Sequence, residues 1–172
     1  MPAEHVVLLP NNKNIIPVAE QVDGQTAKSV SVVPTRGVSE GFAALLAYDP
    51  EADLDTNTSG MAEAAGNVVA GEVTQAVRDS ASDAGTIATG DWLGLSRAGI
   101  EVIDADLGSA CCALLEKLLA DGHEIVTLIE GEGAKAGTTR RITEWLGESH
   151  PAVEAEIHHG GQPLYPYLFG VE

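Results

Sequence analysis

Two polar loops near the N-terminus carry the side chains best suited to binding. The first, Pro10-Asn11-Asn12-Lys13-Asn14, follows the apolar run Val6-Val7-Leu8-Leu9 and precedes Ile15-Ile16. At the carboxyl end of a strand in an open α/β sheet, such a loop faces ligands, and the helix behind it attracts anions. Asn11, Asn12 and Asn14 could orient a carboxylate or phosphate there, and Lys13 could neutralise it. The second loop, Pro34-Thr35-Arg36-Gly37, ends the run Val30-Ser31-Val32-Val33. It could lie beside the first, placing Asn11, Asn12 and Thr35 in one cleft and adding the Arg36 guanidinium. Turn chemistry is the simpler account of both, because an Asx-turn and a helix cap use the same residues without a ligand.

Near the other end, His158-His159 precedes Gly160-Gly161-Gln162-Pro163. A histidine pair could serve as nucleophile, general base or half a metal site. No cysteine or third histidine stands at ligand spacing, and there is no Gly-x-Ser-x-Gly elbow. An edge-strand histidine is the simpler reading of His158. Tyr165 and Tyr167 alternate with Leu164, Pro166 and Leu168, so they are expected to share one face, half-buried in a sheet or serving an interface. Gly131-Glu132-Gly133 is not a nucleotide loop: it lacks the Walker pattern, and its glutamate would repel phosphates. Asp106, in Asp104-Ala105-Asp106, suits a helix N-cap better than a metal. Cys111 and Cys112 are adjacent, unlike a redox or zinc spacing, and read as small core residues.

The elements that hold these residues follow from pattern. An apolar strand from His5 stops at Pro10, and Asn14 is expected to cap a helix carrying Ile15 to Val22, ended by Gly24. A second strand over 30–33 stops at Pro34, and a helix runs through Leu45 and Leu46 to Asp49-Pro50. This β-α-β-α order predicts a parallel sheet covered by helices. Residues 51–59 read as an acidic loop and 61–69 as a short helix. Short antiparallel strands then fill 72–103. A helix from Asp106, a strand over 124–129, a helix over 138–146 and a strand over 153–157 follow. A last strand over 164–171 should be ordered, with Leu168 or Phe169 in the core. Pro163 and Pro166 argue for an edge strand or a bulge. The fold class is therefore α/β: a Rossmann-like parallel lobe, a β-meander and a second α/β lobe, with lobes over 1–70 and 71–172.

The 172 residues suffice for a real core, and the 44% apolar share is ordinary. Charge is the outlier: 9 basic against 26 acidic side chains, a net −17. Such a field repels phosphate backbones and disfavours binding to nucleic acid or anionic membranes. No run of about 18 apolar residues and no secretory signal are present, so the chain reads as cytoplasmic and without a membrane span.

Four stretches carry a resemblance across nearly the whole chain: Leu9-Pro10-Asn11-Asn12-Lys13-Asn14-Ile15, Val33-Pro34-Thr35-Arg36-Gly37-Val38-Ser39-Glu40-Gly41, Gly90-Asp91 and Gly160-Gly161-Gln162-Pro163-Leu164-Tyr165-Pro166-Tyr167. In this order they resemble the C-terminal domain of the large subunit of bacterial fatty acid kinase, of the dihydroxyacetone-kinase-like family. The resemblance implies a DegV-like fold over 1–172, in a fragment whose family domain begins before Met1 with a further strand and helix. It implies a non-catalytic domain that engages a fatty-acid-binding DegV-like subunit for acyl phosphate formation. ATP and magnesium belong to a separate kinase domain of the same protein, and no cofactor or metal to this chain. DegV-type proteins close on a His-Thr-Gly-Pro-Gly-like loop that holds the fatty acid headgroup. Gly160-Gly161-Gln162-Pro163 stands roughly there instead, which argues against fatty acid binding here. The alternative is a small-ligand or fatty-acid-binding module of DegV type with phosphotransfer chemistry of its own. A homodimer is left open.

Overall fold

The computed structural model describes residues 3–120 and 122–172. They fall into two compact units, 1–68 and 69–172.

The first unit opens with β1 (His5–Leu8), α1 (Ile16–Ala19), a 3-10 turn (Asp23–Gln25) and β2 (Ser29–Val32). The strands pair in parallel, from His5 opposite Ser29 to Leu8 opposite Val32. Two helices follow, α2 (Val38–Leu46) and α3 (Leu54–Asn67). Val33, Ala44, Met61 and Ala65 form the buried cluster, with Val7 and Leu9 packed on it. Small alanines let the helices approach one another and the strands closely, as expected of a core with few aromatics.

Two local expectations are corrected here. Asn14 does not cap α1; Ile15 holds that position without a side-chain bond. The Asn14 amide instead donates to Asn12 Oδ1 at 2.9 Å, closing an Asx-turn. The helix lasts four residues rather than running to Val22, and Gly24 sits in the 3-10 turn. The supposed acidic loop over 51–59 is largely helix, because α3 starts at Leu54. Asp53 accepts from the Thr56 amide at 2.8 Å, and Asp55 lies in the first turn, where acidic groups complement the helix dipole. Asn57 ties down the preceding loop, donating to Asp49 O at 2.7 Å and accepting from Asp49 N at 2.8 Å.

The second unit contains β3 (Val69–Gln75), the small hairpin β4 (Ser80–Ser82) and β5 (Gly85–Ile87), then β6 (Trp92–Ser96) and β7 (Gly99–Asp104). After these come α4 (Leu107–Leu118), β8 (Ile125–Glu130), α5 (Ala136–Ser149), β9 (Glu154–His159) and β10 (Tyr167–Val171). Six strands form one sheet in the order β7-β6-β3-β10-β8-β9. Among the described residues of this sheet, β8 and β9 run parallel and the other pairs antiparallel. The main core gathers Leu114, Leu115 and Leu118 of α4, Ile142 and Leu146 of α5, and Val126, Leu128, Tyr167, Phe169 and Val171 of the sheet.

The C-terminal strand is not an edge. It starts at Tyr167, beyond both prolines, so each of its amides is available to the ladder. It lies between β3 and β8, antiparallel to both, and all five of its residues are buried. The bulge falls elsewhere, between Gly94 and Leu95 in the β6–β7 pair. Leu164, expected in the strand, is exposed and has a left-handed φ of 72°.

Candidate functional site

At the carboxyl edge of β1 and β2 the two N-terminal loops meet. The Asn11 amide donates to Thr35 Oγ1 at 3.0 Å, and Thr35 is fully buried. Asn11 has φ of 51°, a left-handed conformation that asparagine tolerates better than most residues. Its side chain lies against Gly41 in α2, so closely that a Cβ there would overlap the carboxamide. Asn11 Oδ1 is buried, and no hydrogen-bond donor reaches it among the described residues. Glu40, also buried, accepts from the Arg36 amide at 2.7 Å. Thus Asn11 and Thr35 are brought together, while Asn12, Lys13, Asn14 and Arg36 are exposed on the loops around them. A buried carboxylate at this edge disfavours an anion, whereas the orphan Asn11 Oδ1 suits a ligand hydroxyl or N–H.

A second carboxyl edge lies in the second unit, where β8, α5 and β9 form a parallel β-α-β. Glu130 and His159 are the last residues of their strands and stand opposite each other in register. His159 Nδ1 approaches Glu130 Oε2 at 2.5 Å. The Thr139 hydroxyl of α5 donates to Glu130 Oε1, and Thr139 Oγ1 lies 2.8 Å from the Tyr167 hydroxyl. Tyr167 is fully buried, stacked on Phe169 with centroids 6.1 Å apart. Burial pushes its phenol up, only partly opposed by the Thr139 bond. Beside this network an open groove of about 700 Å³ is lined by Glu130, Thr139, Arg140, Thr143, His159 and Gly161, among others.

The glycine loop is a structural lock around this edge. The Gly160 and Gly161 amides both donate to Glu130 O at 2.9 Å, and Gly161 takes φ of 67°. Gln162 Nε2 donates to Ile129 O at 3.2 Å and Tyr165 O at 3.1 Å, and Gln162 O accepts from the Glu132 amide. A Cβ on Gly131 would strike Gln162 and the Tyr165 carbonyl, so glycine must follow β8 for the loop to close over it. His158 is half-buried, with Nε2 3.7 Å from Glu156 Oε2, and strand alternation turns it from the face that His159 uses.

Only Tyr167 belongs to the last strand and is fully buried, whereas Tyr165 lies before it and is half-buried. Tyr165 precedes β10, and its phenol is pushed up by burial and then by the charge of Glu72. Glu72 points away from its neighbour Val73, which packs with Tyr167 in the core. Asp106 caps α4, accepting from the Ser109 amide at 2.8 Å and pairing with Arg141 at 2.5 Å. The Ser109 bonds foremost hold its carboxyl below the usual range. Burial raises the thiols of Cys111 and Cys112, which keeps them from being reactive thiolates. Sequence reasoning missed Glu130, Thr139 and Arg140. The signal for them was positional: a carboxylate and a histidine each closing an apolar strand around one helix.

The family model for the C-terminal domain of FakA-like fatty acid kinase proteins matches residues 1–172. The chain belongs to this family. Among relatives of the FakA-like C-terminal domain, an uncharacterized protein of Staphylococcus epidermidis is 39% identical over 169 residues, covering 98% of this chain. An uncharacterized protein of Staphylococcus aureus strain MRSA252 is 38% identical over the same length. The chain spans 31% of the length of each. The fold is similar to dihydroxyacetone kinase of C. freundii in its native form, with a TM-score of 0.67 at 12% identity over 98% of this chain and 38% of that one. It is also similar to a DegV family protein from Thermus thermophilus whose structure concerns fatty acid binding, with a TM-score of 0.61 at 12% identity over 99% of this chain and 70% of that one. At such identity the likeness shows a shared mixed α/β fold.

Proposed function

We propose that this chain is the non-catalytic C-terminal domain of a fatty acid kinase large subunit. It engages a fatty-acid-binding DegV-like subunit so that the acyl carboxylate is phosphorylated by a separate kinase domain, which binds ATP and magnesium. The observation that carries this reading is the family match over every residue of a chain that spans 31% of its relatives. The sequence supports it by offering no phosphate-cradling glycine loop. So do the exposed apolar side chains of α2 and the turn after it, Val38, Leu45, Leu46 and Tyr48, of the kind that interfaces cover.

The test is capture of the purified fatty-acid-binding subunit by the purified 172-residue chain without the kinase domain. Binding should be saturable and weakened by Leu46→Asp, a substitution at a position 71% exposed that leaves the thermal transition in place. Absence of binding between the pure proteins would overturn the reading.

The orphan Asn11 Oδ1 favours a second reading, a small-ligand module of DegV type, in which a hydroxyl- or N–H-bearing ligand fills the first unit's edge. A glycerol or dihydroxyacetone titration that shifts the Asn11 carboxamide resonances saturably would select it.

A further inference from the structure

The opening of α5 departs from the usual charge pattern of a helix. It has no acidic residue in its first turn and no capping side chain, yet Lys135 occupies the N-cap and Arg140 lies one turn on. Cations are disfavoured near the positive end of a helix dipole. Arg141 resolves its charge on Asp106. Arg140 has no ion pair among the described residues, in a chain of net −17 that holds only 9 basic side chains. Arg140 is exposed on the wall of a groove, where an anion from solution can reach it.

The groove is built to receive one. Its volume of about 700 Å³ falls within the roughly 300–1,000 Å³ of small-molecule sites. Its lining combines the apolar Ala134, Ala136 and Ile157 with the polar Glu130, Thr139, Arg140, Thr143 and His159. The histidine is oriented, not loose. Glu130 accepts from Nδ1 at 2.5 Å and is itself held on its other oxygen by Thr139, which orients the ring so that the imidazolium turns an Nε2–H donor outward. Both oxygens of the acidic residue at this edge are thereby turned to partners.

We propose that this groove binds a small organic oxyanion, a carboxylate or a phosphoryl group, on Arg140 and the Nε2–H of the His159 imidazolium, with Glu130 as the residue that positions the ring. The apolar part of the ligand lies against Ala134, Ala136 and Ile157. Arg140 supplies the planar pair of donors that either head group accepts. The site requires no second protein, so it stands or falls apart from the docking reading above.

The experiment is a chemical-shift titration of the 172-residue chain with propylphosphonate and with butyrate, using butyramide as the neutral control. The amides of Ala134, Ala136, Thr139 and Gly161 should shift saturably with at least one acid and not with butyramide. A response to propylphosphonate alone assigns a phosphoryl ligand, and one to butyrate alone assigns a carboxylate. Arg140→Gln should weaken binding about tenfold or more, the cost of losing a charged hydrogen bond. His159→Asn should weaken it as well, and Arg78→Gln, outside the groove, should not. In Glu130→Gln the His159 ring nitrogens should lose their imidazolium 15N pattern. No saturable shift with either acid, an equal response to butyramide, or unchanged affinity in Arg140→Gln would overturn the site. An unchanged ring spectrum in Glu130→Gln would overturn the positioning role.

Discussion

Single side chains at two strand ends do most of the organising in this molecule. Asn11 binds Thr35 through its backbone and presses its carboxamide against Gly41, so one residue sets the spacing of two loops and a helix. Glu130 plays the same part in the second unit, joining β8, α5 and β9 through Thr139 and His159. Glu72 shows the opposite case, a carboxylate placed at a cost. Burial in β3 holds its carboxyl above the ordinary value. A folded value above the unfolded one means that the unfolded chain loses its proton first as pH rises. Stability therefore falls as pH climbs from the ordinary carboxylate value through the raised one, and the penalty is complete above it. Glu72→Gln should raise the thermal midpoint at pH 7, and the difference should vanish below about pH 4. Equal midpoints at pH 7, measured by circular dichroism, would contradict this. Of these three residues only Asn11 was legible in the sequence, because its neighbours spell a turn. Glu130 and Glu72 look like ordinary strand residues until their cross-strand partners are known.

At the scale of elements, the C-terminal strand matters most. Because β10 supplies the ladder for both β3 and β8, removing residues 160–172 takes out the centre of the sheet. The truncated chain should lose its cooperative transition, and one that kept it within roughly a few degrees would contradict this placement. A milder test is Phe169→Ala. Phe169 is fully buried and stacked on Tyr167, so the substitution should cost about 3–5 kcal/mol, read from the denaturant midpoint. The prolines that suggested an edge strand act differently. Pro166 ends the approach to the strand and offers its carbonyl to the Gly131 amide at 2.9 Å. Local codes elsewhere held: Asp106 caps α4, and the two N-terminal strands stop at proline-bearing loops.

At the scale of the whole chain, no phosphate cradle is present in the sequence, and among the described residues no three metal-ligating side chains come together. The chain alone should show neither ATP hydrolysis nor saturable ATP binding by calorimetry. Saturable binding lost on Asp104→Ala or Asp106→Ala would overturn that. The net charge of −17 adds that any docking to a basic partner surface should weaken with salt, an effect to be measured alongside the capture experiment. Among the described residues no helix is long and apolar enough to cross a membrane.

The sequence by itself determined the parallel β-α-β start, the antiparallel middle, the capped α4 and the family. Each of these is written within a few neighbouring residues: an apolar run, a proline stop, an aspartate before a helix, a motif. Tertiary structure alone decided that β10 lies centrally, that Glu130 faces His159, and that Tyr165 and Tyr167 part company. Those outcomes depend on which strands pair and in what register, and pairing across 29 positions between Glu130 and His159 has no local signature. Strand order is set by competition among apolar strands for burial. The apolar segment Tyr167–Val171 took the centre, where both of its edges and both of its faces leave water.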